Sequence, residues 1–221
     1  MPELWGAGLR AARGSAVAFT TTRFRVGEGW GRALVDALAE GAAGAGGPIR
    51  LGAGAGFRCR AVHLLRYADF GPGRAAGPVE EIPGDNAAYR RTALDRAGGS
   101  DEEGFWDVEV HRRLRSDGGE LAWVPRAEAE MVDSGALPGF LLQRFRHGRR
   151  YGRYRARELQ TPVWRSLAAA PLVPAVLTVR ALRRRGRRAL AASLPAVPHL
   201  LLMAGAVSDD SRILASLGTI K

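Results

Sequence analysis

The chain is predicted to fold as an α/β layered domain, and three observations carry that prediction. Segments with apolar residues at helical spacing alternate along it with short apolar runs of strand length, separated by Gly and Pro. At 221 residues it is long enough for one domain with a buried core and an appendage. Its 46% hydrophobic content argues against bulk disorder.

Each element has its own signal. Ser15–Thr20 (SAVAFT) reads as a short buried strand ending in polar residues. Trp30–Glu40 puts Trp30, Leu34 and Leu38 on one helical face, with Gly41 as the stop. Gly41–Gly56 is rich in Ala and Gly and contains one strand candidate, PIRLG. The run GAGAG over Gly52–Gly56 fails the spacing of a dinucleotide fingerprint and lacks a clear strand-to-helix setting, so it reads as a flexible loop. Phe57–Phe70 is a helix, and Gly71–Pro83 a Pro/Gly loop. Asn86 is expected to cap a short helix over Ala87–Leu94. Phe105–Arg115 is an amphipathic helix with Trp106, Val110 and Leu114 on one stripe, ended by Gly118 and Gly119. Leu121–Val124 is a strand stopped by Pro125, and Gly139–Glu158 a long basic helix.

Residues 1–160 form the layered domain on this reading, and residues 161–221 a basic, hydrophobic helical tail. Ser166–Val179 is uncharged but contains Pro171 and Pro174 and is short for a membrane span. Ala189–Ser208, with His199 neutral, reaches the roughly 30 Å that a bilayer core requires. Between them stands RALRRRGRR, Arg180–Arg188. If both segments crossed, the positive-inside rule would put this loop in the cytoplasm and expel the globular domain from it. Surface binding avoids that conflict, with the arginines on anionic headgroups at about 1 kcal/mol per charge. The expectation is a membrane-associated protein whose globular domain lies on the cytoplasmic side.

The formal charge is +11, yet it is concentrated. Between Leu141 and Leu190 there are 14 arginines against the single acid Glu158, so the basic character belongs to that segment. Lys221 is the only lysine. No aromatic platform interleaves the arginines and no nucleic-acid-binding motif accompanies them, so a nucleic-acid partner is not expected. Cys59 is alone, which excludes an internal disulfide, and four scattered histidines give no zinc-ligand spacing. The N-terminus, with Arg10 and Arg13, has no apolar core of signal-peptide type, so no secretory leader is expected.

Chemistry-bearing residues concentrate after Pro83. Asp107 begins a helix behind aromatic residues, a setting in which partial desolvation raises a carboxylate's proton affinity and suits it to general-base work. The bland reading is that it complements the helix dipole. Glu109 and Arg113, at i and i+4, suit a surface ion pair. His111 is also i+4 from Asp107, but no serine or cysteine elbow accompanies that pair. Asp85 and Asn86 are favoured in turns, and can also hold sugar hydroxyls, with Arg90 and Arg91 facing an anionic group. Gln143, Arg144 and Arg146 offer an amide and two guanidiniums that can bracket a diphosphate, or a solvated basic face.

In chain order, GDNAAYRR, FWDVEVHRRL, the strand before Pro125 and QRFRHG resemble family 2 glycosyltransferases, over roughly Gly14–Arg157. VAFTTTRFRVGEGW also resembles the family segment that ends its central strand and leads to a tryptophan, here Trp30. The resemblance implies a GT-A fold, present in part, and transfer of a sugar from a nucleotide-sugar donor to a glycan or lipid-linked acceptor. It makes Asp107 the catalytic base. Asp85, Asn86 and Arg90 fall in a segment similar to the acceptor-side turn. Gln143 and Arg146 match the QxxRW motif of processive members, with His147 in place of tryptophan. Two departures stand out. Thr20, Thr21 and Thr22 occupy the place of the acidic motif that binds a divalent metal, and hydroxyls are weak substitutes for carboxylates around a hard cation. Only about a dozen residues precede the matching region, where the family carries its βαβ nucleotide-binding half. No cofactor is therefore evident. The leading expectation is an inverting glycosyltransferase, and the alternative is a non-catalytic membrane-associated remnant or subunit of one.

Overall fold

A computed structural model describes residues 2–98 and 107–135. The expected helix over residues 139–158, the site candidates Gln143, Arg144 and Arg146, the tail segments and Trp106 lie outside the described residues. The chain divides into two compact units, one of residues 1–55 and 69–133, the other of residues 56–68 and the chain from Ser134 onward. No helix among the described residues is long and apolar enough to cross a membrane.

The first unit is a mixed α/β structure built on two mixed sheets. Its strands are β1 (Ala16–Phe19), β2 (Phe24–Val26), β3 (Gly44–Gly46), β4 (Ile49–Leu51), β5 (Gly77–Val79), β6 (Ala87–Arg90), β7 (Leu121–Trp123) and β8 (Ala129–Met131). Its helices are α1 (Pro2–Ala11), α2 (Trp30–Ala39), α4 (Arg91–Arg96) and α5 (Asp107–Ser116). The larger sheet runs β1-β6-β3-β7-β5 and the smaller β2-β8-β4. β1, β3 and β7 point one way, because β6 is antiparallel to both β1 and β3 while β3 and β7 are parallel.

Apolar layers cover both faces of the larger sheet. On one, Val17, Phe19, Tyr89 and Leu121 pack with Leu9 of α1, Leu94 of α4, and Val110 and Leu114 of α5. On the other, Ala45 and Ala88 pack with Leu34 and Leu38 of α2. The expected α/β class therefore holds, and the strand limits at Ser15–Thr20, PIRLG and Leu121–Val124 are met within a residue or two. The helices at Trp30 and Asp107 also begin or end close to where periodicity puts them. In the second unit, α3 (Phe57–Tyr67) forms where the spacing predicts a helix, with Val62 and Cys59 buried.

The expected loop over Gly71–Pro83 contains strand β5, whose pairing with β7 gives it extended form despite its Gly and Pro, and three further expectations need correction. Asn86 does not cap a helix over Ala87–Leu94: the chain there is strand β6, and α4 starts only at Arg91, after an extended Arg90 with φ −65° and ψ 129°. Pairing on both sides, to β1 and β3, overrides the weak local preference of Ala-Ala for helix. The Gly/Ala-rich stretch before Pro48 contains a central strand: Gly44-Ala45-Gly46 is β3, buried throughout. A Cβ on Gly44 would lie 2.7 Å from Tyr89 Cδ1 and 2.9 Å from Leu121 Cδ2, so large neighbours roof the strand where it has no side chains. Finally, Gly52–Gly56 does follow a strand and precede a helix. It is a turn fastened by Gly52 N to Met131 O (3.0 Å) and Ala55 N to Gly52 O (3.0 Å).

Helix α1 lies outside the expected elements. Pro2 suits a first helical position, and Glu3 and Arg10 complement the dipole at its two ends. Its exit is held from afar: the Arg91 guanidinium donates to the carbonyls of Ala12 (2.6 Å), Gly14 (2.9 Å) and Leu9 (3.3 Å).

Candidate active site

The carboxyl ends of β1, β3 and β7 share one edge of the larger sheet, since Phe19 pairs with Ala87, Ala87 with Gly46, and Gly46 with Trp123. Ligand sites in open α/β sheets favour such an edge. Two segments come together there. One is the turn Pro83–Asn86 that enters β6, closed by Asn86 N donating to Pro83 O at 2.9 Å. The other is the first turn of α5.

Asp107 is the first residue of α5 and is half-buried. Its side chain lies directly on Gly84, where an added Cβ would stand 2.5 Å from Asp107 Cβ and 2.7 Å from Asp107 Cγ. Only glycine permits that approach. Asp85, 3% exposed, follows in the same turn, and its charge and that of Asp107 both reach Tyr89. As the first residue of α5, Asp107 also complements the positive end of the helix dipole. The expected ion pair from Glu109 to Arg113 forms, and Arg113 also donates to the carbonyls of Ala97 and Gly98, both at 3.3 Å.

Behind the two acids, Tyr89 Oη and His111 Nε2 stand 2.6 Å apart, both residues buried. Burial pushes the Tyr89 phenol well above its ordinary range, and the charges of Asp107 and Asp85 push it further the same way. Tyr89 holds its proton more tightly folded than unfolded, so its contribution to stability is intact below about pH 10 and is lost as pH rises above that. As pH rises above about 10 the parent should lose more stability than Tyr89→Phe, read from urea midpoints. Parallel curves for the two proteins would contradict the assignment.

The remaining candidates among the described residues, Asn86 and Arg90, serve the scaffold. Asn86 is fully buried: Nδ2 donates to the carbonyls of Ala127 (2.9 Å), Gly47 (3.0 Å) and Pro48 (3.1 Å), while Oδ1 accepts from Trp30 Nε1 at 2.7 Å. All of its hydrogen-bonding groups are directed into the protein, so it fixes the turn and α2 rather than facing a sugar. Arg90 stands at the far end of β6 from the turn, opposite Ala16. Its guanidinium donates to the carbonyls of Ala42 (2.9 Å) and Gly41, and Arg91 likewise faces carbonyls rather than an anion. The structure thus brings Asp85 and Asp107 together, turns Asn86 inward, and puts Arg90 elsewhere. Tyr89 was absent from the sequence candidates. Its signal was parity, since in β6 it faces the same side as Ala87, toward α5.

Thr20 and Thr22, exposed, and Thr21, half-buried, leave β1 at this edge, and Thr21 Oγ1 accepts from Arg23 N at 3.4 Å. Among the described residues no group of three or more His, Cys, Asp or Glu is arranged to hold a metal ion. No protein-family model matches the chain, and no curated protein matches it.

Proposed function

We propose that the chain is a family 2-like glycosyltransferase domain of the inverting type, using a nucleotide-sugar donor and a glycan or lipid-linked acceptor at a membrane surface. The observation that carries this reading is the seat of Asp107 on Gly84. It joins two motif segments, GDNAAYRR and FWDVEVHRRL, at the carboxyl ends of parallel strands.

In this reading the Asp107 carboxylate takes the proton of an acceptor hydroxyl as the oxygen attacks the anomeric carbon. The bond to the nucleotide diphosphate breaks in the same displacement, inverting the centre. Asp85 helps to orient the acceptor, and Gln143, Arg144 and Arg146 are assigned to the departing diphosphate. The threonines at the end of β1 do not fit a divalent cation, because hydroxyls are weak ligands for a hard ion.

Those threonines are also the specific reason to keep a second reading, a non-catalytic, membrane-associated subunit. Incubation of the full chain with radiolabelled UDP- and GDP-sugars and a lipid extract tests both. Transfer of label to lipid or glycan, from donors that calorimetry finds weakly bound with Mg²⁺ or with chelator alike, is the expected result. Absence of transfer from every donor would favour the non-catalytic reading. Tight, metal-dependent binding would assign the donor site to other acids.

A further inference from the structure

We infer that Tyr89 and His111 are a positioning pair for the base, with Tyr89 donating to His111 Nε2 and so keeping a neutral ring, rather than an imidazolium, one helical turn from Asp107. The inference rests on the reading of Asp107 as general base.

The geometry comes from two elements. Tyr89 is on strand β6 and His111 on helix α5, each at most 2% exposed, with Oη and Nε2 2.6 Å apart and ring centroids 5.7 Å apart. This bond clamps the helix that begins with Asp107 to the strand that begins just after the Gly84–Asn86 turn. Both partners of the Asp107–Gly84 contact are therefore braced from behind. His111 lies about 6 Å along the helix axis from Asp107, and helical side chains lean toward the N-terminus, over the preceding turn. Its charge state accordingly matters to the carboxylate.

A phenol that keeps its proton offers an O–H donor, and the neutral imidazole has one acceptor nitrogen. With Nε2 accepting, the ring proton resides on Nδ1. An imidazolium would instead present a second donor to the same phenol and bury a charge, which desolvation disfavours. The charges acting on Tyr89 are those of Asp107 at the start of α5 and Asp85 in the turn. The consequence for the proposed chemistry is direct. A cation beside Asp107 would stabilise its ionised form and weaken it as a base, whereas a neutral ring preserves its affinity for a proton.

Nitrogen-15 and carbon-13 NMR on the labelled full chain tests this without any substrate. Signals are assigned with His111→Gln and Asp107→Asn. At neutral pH, His111 should show an unprotonated Nε2 and a protonated Nδ1. In Tyr89→Phe, His111 should gain the Nε2–H or imidazolium form, and the Asp107 carboxyl midpoint should fall by about half a unit, roughly threefold in its acid constant. His111→Gln keeps an acceptor at the same reach and cannot become a cation, so it should leave the Asp107 midpoint unchanged. It serves as the decisive variant if Tyr89→Phe does not fold. An imidazolium in the parent, an unmoved midpoint in folded Tyr89→Phe, or a raised midpoint in His111→Gln would each overturn the inference. Failure of the glycosyltransferase reading would show separately, as a lack of transfer with these NMR signatures intact.

Discussion

Asp107→Asn is expected to abolish sugar transfer while leaving the fold unchanged. The amide has the shape of the carboxylate, so the contact with Gly84 survives, but it cannot accept the acceptor's proton. Loss of general-base catalysis costs about 10²–10⁴ in rate. The same substitution removes one of the two charges that hold the Tyr89 proton, so the phenol should ionise at lower pH, visible in its ultraviolet absorbance. The two readouts separate the roles. A shifted phenol with transfer within about twofold of the parent would keep Asp107 in the electrostatic cluster but remove it from catalysis.

Gly47→Ala should produce the largest loss of stability, about 3 kcal/mol or more. A Cβ there would stand 2.6 Å from the Ala127 carbonyl carbon and 2.7 Å from Val124 O. Both are backbone atoms, so no rotamer change relieves the clash. The segments are also tied together, because Asn86 Nδ2 bonds Gly47 O and Ala127 O at once. Relief would have to open that clasp, leaving a buried amide unpaired. Gly31→Ala is the natural control. It lies in α2 with nothing within 4 Å of the added methyl, so it should stabilise by about 0.5–1 kcal/mol. Denaturant unfolding of the three proteins side by side checks both signs. Equal stability of Gly47→Ala and parent would mean that the Gly46–Pro48 and Val124–Ala127 segments are not apposed as described.

The residues of α2, α3 and α5 announce their elements because their side chains repeat at helical spacing, and β1, β4 and β7 because apolar residues cluster at strand length. Nothing comparable marks β3. Its glycines carry no side chain to form a pattern, and their value lies in what neighbouring strands lay across them, Tyr89 and Leu121 over Gly44 and Ile82 over Gly46. Asn86 misled for a related reason. Asparagine before a short Ala-rich run is local evidence for a cap, but its partners Trp30, Gly47 and Ala127 are 56, 39 and 41 residues away. Arg90 and Arg91 look like an anion site until the carbonyls of Ala42 and Gly14, 48 and 77 residues distant, come into contact with them. The meeting of Asp85 and Asp107 was foreseeable only through the order of motifs. The glycine that makes it possible, Gly84, reads in sequence as an ordinary turn residue.

The position of β6 between β1 and β3 sets an order of events in time. β1 and β3 have no bond to each other; each pairs with a strand that enters the chain about forty to seventy residues later. During synthesis the first half of the sheet must wait with its centre vacant until Ala87–Arg90 has emerged, because pairings of long sequence separation form late. Asp107 follows after that, and its seat exists only once the turn before β6 is in place. A ribosome-bound chain ending before Ala87 should therefore resist proteases poorly, and one extended through β7, with the linker needed to clear the exit tunnel, should acquire protection in a single step.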